Sequence, residues 1–154
     1  MKPRWRPILA RVCFNRQGGA AIVEFAIVLG ILVLIVAGII EFGRVFWYYD
    51  ALTKATRDGA RYLSTSTLPL DTTVTKNIVV NAADAANVGD SVSGKVVDGN
   101  VSISCTPDCN APEYVTVAIG NPATSYSVAL GEWLPFAGSA TITLQPYTTM
   151  RYMQ

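Results

Sequence analysis

Residues 20–40 constrain this chain more than any other stretch. These 21 residues hold 18 apolar side chains, two glycines (Gly30, Gly38) and a single charge, Glu24. At 1.5 Å per residue a helix of that length reaches about 31 Å, matching a ~30 Å hydrocarbon core. A soluble helix this long normally shows a polar face, and this one shows none. A membrane span is the expectation, with a fully buried core helix as the alternative. The chain as a whole is 51% hydrophobic and 15% charged. Without the span the remainder falls to roughly 46% hydrophobic, ordinary for a globular chain.

The flanking charges set a direction. Lys2, Arg4, Arg6, Arg11 and Arg16 precede the span, and no acid occurs in residues 1–19. The positive-inside rule then keeps the N-terminus in the cytoplasm and sends the C-terminal part across. A secretory signal peptide is the rival, since it too has a basic segment before an apolar run. Signal apolar regions are shorter, however, and end in a small-residue cleavage site. Here the run leads into Glu41-Phe42-Gly43-Arg44, and the small residues Gly18-Gly19-Ala20-Ala21 come before it.

Glu24 is the chemical anomaly. A carboxylate near the end of a membrane helix costs a few kcal/mol on insertion scales, so it needs a partner. If a peptidase cut between Gly19 and Ala20, the new α-amino group would be a cation one helical turn from Glu24. In a helical assembly the carboxylate can then neutralise its own N-terminus or a neighbour's. The plainer alternative is a carboxylate snorkelling at the membrane edge.

The stretch Arg16-Gln17-Gly18-Gly19-Ala20-Ala21-Ile22-Val23-Glu24-Phe25 resembles the prepilin-type processing site of type IV pilin-like proteins. Gly38-Ile39-Ile40-Glu41-Phe42-Gly43-Arg44 and Arg57-Asp58-Gly59-Ala60-Arg61-Tyr62 narrow the likeness. Together they resemble TadE-like proteins, minor pilins or pseudopilins of the tight-adherence (Flp) pilus machinery. Tyr114–Val117 and Thr148–Arg151 are similar to that family's closing strands, although the likeness is concentrated in about residues 16–63. The resemblance implies cleavage after Gly19 by a prepilin peptidase on the cytoplasmic side. It implies an assembly role for Glu24, with Phe25 as its motif neighbour. The partners it implies are other pilins or pseudopilins, an inner-membrane pilus assembly platform and the lipid bilayer. Family members often carry proline where this chain has Gly30, so a proline kink is not available here.

Beyond the span, Val45, Phe46, Tyr49, Leu52, Thr56, Gly59 and Leu63 recur at helical spacing. Arg44, Asp50, Lys54, Arg57, Asp58 and Arg61 take the other face. This predicts one helix from about Ala20 to Ser64, with Glu41 and Arg44 as an i,i+3 interfacial pair at the outer membrane boundary, worth tenths of a kcal/mol. Phe46-Trp47-Tyr48-Tyr49 suits an interfacial aromatic belt. Asp71 or Thr72 can cap a second helix carrying Val74, Ile78, Val79, Ala82 and Ala85, closed by Gly89. Alternating or β-branched runs at 100–104, 114–119, 126–130 and 140–147 predict an antiparallel sheet of three or four strands. The fold class is therefore α+β: a long N-terminal helix packed on a small antiparallel sheet domain. Its parts are a basic leader (1–19), a transmembrane helix (20–40), an amphipathic continuation (41–64) and an exterior domain (65–154).

Cys13 lies in the leader, in a reducing compartment. Cys105 and Cys109 form a pair in the translocated part, and an intervening turn can bring their α-carbons within disulfide reach. In an oxidising exterior a bridge is the default, worth roughly 2 kcal/mol by loop entropy, with free thiols as the alternative. A zinc site lacks ligands, because the chain has no histidine. That absence also removes the commonest general base and every Ser-His or Cys-His arrangement. No phosphate-loop or dinucleotide pattern occurs, and a net charge of +1 gives no footprint for nucleic acid. No enzyme, metal or cofactor is expected. The reading is a membrane-inserted pilin precursor that assembles through its N-terminal helix. The alternative is an uncleaved single-pass protein with an exterior ligand- or partner-binding domain.

Overall fold

The computed structural model describes residues 18–68, 70–88, 94–120, 126–130 and 140–153. Helix α1 spans Gly18–Thr65 and helix α2 spans Thr72–Ala85. Five strands follow: β1 (Val101–Thr106), β2 (Tyr114–Ile119), β3 (Tyr126–Leu130), β4 (Ala140–Leu144) and β5 (Tyr147–Arg151). The chain divides into two compact units, one ending at Ala37 and the other running from Gly38 onward.

In the first unit the apolar side chains of α1 are unburied. Ile22, Val23, Phe25, Ile27, Val28 and their successors to Val36 are all exposed. This is a stretch long and apolar enough to cross a membrane, with none of its most apolar window covered by the rest of the chain.

In the second unit α1 becomes one-sided. Val45, Tyr48, Ala51, Leu52, Ala55, Thr56, Ala60 and Leu63 are buried, whereas Phe46 and Tyr49 are exposed. The packing face is thus rotated from the one that hydropathy favours. Small residues explain the shift, because they let neighbouring backbones approach. A Cβ on Gly59 would lie 2.5 Å from Val79 Cγ2 and 3.6 Å from Val117 Cγ1. At this point α1 touches both α2 and β2.

Helix α2 is capped by Asp71, whose carboxylate accepts the Val74 N–H at 2.9 Å. Its buried residues are Thr75, Val79 and Ala83, a stripe of period four. Val74, expected on that face, is exposed. Thr75 and Val79 both lie against Gly59, so closeness of approach decides the face over bulk. The helix ends by local geometry at Asn87, which is left-handed (φ 53°). The Val88 N–H bonds Ala83 O at 3.0 Å and the Asn87 N–H bonds Asp84 O at 2.8 Å, a Schellman closure with asparagine in the glycine position. Gly89, the expected stop, lies outside the described residues.

The strands form two antiparallel sheets, in the orders β1-β2-β5 and β3-β4. The continuous run expected over 140–147 is split at Gln145-Pro146. Proline has no N–H to continue a ladder, while Pro146 O accepts the Ile119 N–H at 3.0 Å. The chain therefore leaves β3 at Leu144 and rejoins β2 as β5. Val101, Val115, Val117 and Ile119 point into the core beside Leu52, Leu63, Val79 and Val88. Thr56 Oγ1 lies 3.0 Å from Thr148 Oγ1, and the Met153 N–H donates to Ser64 O at 3.0 Å. These two bonds tie β5 and the residues after it to α1.

Candidate functional site

The first turns of α1 hold the residues singled out in the sequence. The helix begins at Gly18, so Gly19 and Ala20 lie in its first turn. Nothing lies within 4 Å of where a Gly19 Cβ would be. Glycine has low helix propensity, so Gly18 and Gly19 add little to holding the first turn of α1. The leader up to residue 17, including Cys13, lies outside the described residues.

Glu24 comes four residues after Ala20, about 6 Å along the axis, and is exposed among exposed Ile22, Val23 and Phe25. Among the described residues no hydrogen bond or ion pair reaches its carboxylate. Here the sequence places a charge in an apolar sheath, and the described residues supply no cation to meet it. Phe25 is 66% exposed and contributes apolar surface beside that charge. Chemically the arrangement can accept an ammonium or guanidinium group arriving from outside.

A second charged pair behaves differently from expectation. Glu41 and Arg44 form an ion pair at 3.0 Å, with side-chain exposures of only 11% and 20%. Arg44 Nη2 also donates to Ala129 O on β3 at 2.9 Å. With Glu41 buried and Arg44 partly so, this ties α1 to the smaller sheet rather than forming an interfacial pair of marginal strength. Helical spacing showed that the two charges are neighbours. It held no trace of Ala129, because that contact is made across 85 residues of chain.

Cys105, in β1, is bonded to Cys109, with α-carbons 5.1 Å apart. The bridge closes the connection between β1 and β2, where Glu113 N–H donates to Thr106 O at 2.8 Å. Asp108 accepts the Asn110 N–H inside the same turn. The bond between Thr106 and Pro107 is cis. Pairing of β1 with β2 runs unbroken from Val101↔Ile119 to Thr106↔Tyr114, so the disulfide caps an already registered hairpin.

The comparisons with known proteins bear on α1. The family model described as TadE-like protein matches residues 19–61. No curated protein and no solved structure matches the chain. The matched segment starts at the Gly19–Ala20 junction, contains Glu24 and the Glu41–Arg44 pair, and ends at the arginine that follows Gly59 and Ala60. From Gly19 to Arg61, the long helix of this chain matches the TadE-like family.

Proposed function

We propose that this chain is a minor pilin or pseudopilin of a tight-adherence, type IV-like pilus. It is inserted as a single-pass precursor with its N-terminus cytoplasmic and residues 65–154 outside. A prepilin peptidase removes residues 1–19, leaving Ala20 at the new N-terminus. Residues 20–40 then leave lipid and pack among the helices of other pilins or pseudopilins at the assembly platform, and residues 41–64 carry the exterior domain. The TadE-like match supports a pilus-associated, pilin-like and structural role.

The observation that carries this reading is Glu24, exposed on an apolar helix with no partner among the described residues. Leaving it unpaired in hydrocarbon costs a few kcal/mol. An α-amino group created at Ala20, on the same chain or an adjacent one, offsets that cost. Loss of the leader also removes all five cations that hold the N-terminus at the cytoplasmic face.

Intact mass of the protein purified from its native membrane tests the processing step. A chain starting at Ala20 is expected, and one starting at Met1 would assign the uncleaved anchor instead. Gly19→Ala should block cleavage, whereas Glu24→Ala should be cleaved but fail to enter pili. Normal piliation with both variants would overturn the mechanism.

A further inference from the structure

The three-stranded sheet has one face in the core and one face outward. By register, the outward face is three rows of three: Ser102–Ala118–Tyr147, Ser104–Thr116–Thr149 and Thr106–Tyr114–Arg151. Seven of these nine positions carry a hydroxyl, and Arg151, at one corner, is the only charge. An open groove of about 350 Å³ runs over this face, lined by the polar Ser102, Ser104, Thr116, Gln145 and Tyr147 and bordered also by Ala118, Ile103 and Ile119. Tyr147 is 69% exposed and Tyr114 is 41% exposed.

We infer that this groove binds a neutral carbohydrate. A pyranose ring offers an apolar C–H face together with a rim of hydroxyls that both donate and accept. The groove offers the complement. The Tyr147 ring supplies an aromatic face, the Gln145 amide supplies donors and an acceptor, and the Ser and Thr hydroxyls do both. The volume lies at the small end of ligand sites, suited to one or two sugar rings. Tyr114 is four residues along β2 from the Ala118–Tyr147 row, about 14 Å away, so an extended oligosaccharide reaches both aromatic rings.

The chemistry of the face disfavours other ligand classes. A nucleic acid needs several cations, and only Arg151 is present. A divalent metal needs carboxylates or carbonyls aimed at one point, and no carboxylate belongs to the nine positions. An apolar peptide needs a continuous greasy patch, but here the aromatics are separated by hydroxyls. The surface is also rigid before any ligand arrives. β2 is paired on both sides, and Thr116 and Thr149 already share a hydrogen bond at 2.8 Å. Gly120 bounds one end of the groove. Its φ is +77°, and a Cβ there would lie 2.5 Å from Leu144 O, so the end wall is fixed by backbone alone.

The test uses the full chain in lipid nanodiscs and saturation-transfer NMR. The probes are cellotriose, maltotriose and tri-N-acetylchitotriose, with trigalacturonate as an anionic control. Transfer to the ring protons of at least one neutral trisaccharide is expected, with trigalacturonate at least tenfold weaker. Tyr147→Ala and Ser104→Lys should each weaken the neutral probe at least tenfold, while Tyr49→Ala, on exposed α1, should leave it unchanged. Tyr147 and Ser104 are both exposed, and unchanged thermal melts will show that the variants are folded. No transfer from any neutral probe overturns the inference, as does transfer that survives both substitutions or equal binding of trigalacturonate. Self-association that Tyr147→Ala abolishes, without sugar binding, overturns it too and gives the face to a second copy of the chain.

Discussion

At the scale of single residues, two glycines of α1 make opposite demands. Gly43 is exposed, and nothing lies within 4 Å of where its Cβ would be. Gly43→Ala should therefore stabilise the fold by about 0.5–1 kcal/mol through helix propensity. Gly59 has the same propensity to gain, but its Cβ would meet Val79 Cγ2 at 2.5 Å. Val79 is fully buried, and a β-branched side chain in a helix holds essentially one rotamer, so it cannot swing aside. Overpacking of about 1–3 kcal/mol then outweighs the propensity gain. Gly59→Ala should lower the denaturation midpoint of the full chain in detergent, and Gly43→Ala should raise it. Equal effects from the two would contradict the packing. The sequence showed Gly59 as part of an apolar stripe. It did not show that the position must be empty, because the neighbour that fills the space belongs to another helix.

At the scale of elements, α1 is joined to the smaller sheet by Glu41, Arg44 and Ala129 O. Removing one member of a buried pair strands the other charge, at a cost of about 3–5 kcal/mol, whereas replacing both with apolar side chains is often close to neutral. Arg44→Ala should therefore be strongly destabilising in urea titrations, and Glu41→Leu combined with Arg44→Met much less so. Additive losses in the double variant would show the pair to be exposed in solution. Element types were legible from periodicity: both helices, and strands β1, β2, β3 and β4. The second sheet was not, since the alternating run at 140–147 takes in β4 and only the first residue of β5, and Gln145-Pro146 breaks it between the two sheets. The buried faces of the helices were also misjudged in part. Hydropathy ranks Phe46 and Val74 as core residues, but packing selects Ala51, Ala55 and Thr75, which allow closer approach. The Gly19–Ala20 junction and Glu24 stood out without any fold, because a charge in an apolar run is anomalous on sequence alone.

At the scale of the whole molecule, the packed core and the exposed apolar surface of α1 occupy different residues. The side chains from Ala20 to Val36 are exposed and join no core cluster. A chain beginning at Gly38 should thus keep the unfolding free energy of the full chain, read from urea titration, to within about 1 kcal/mol. A large loss would mean that residues 18–37 support the second unit. Charge is partitioned in the same way. The net +1 combines five cations in residues 1–19 with an excess of acid in the remainder, so the proposed cleavage after Gly19 would reverse the sign of the protein. The order of strands has a consequence in time. β1 and β2 are neighbours in sequence and close as a local hairpin, but β2 receives its other partner only after β3 and β4 have been made. Loop closure of that kind is slow relative to hairpin formation. Because synthesis runs from the N-terminus, β2 (Tyr114–Ile119) is complete before β5 (Tyr147–Arg151) exists. Until β5 arrives, one edge of the central strand stands open, and that interval is when a chaperone or a neighbouring chain has access to it.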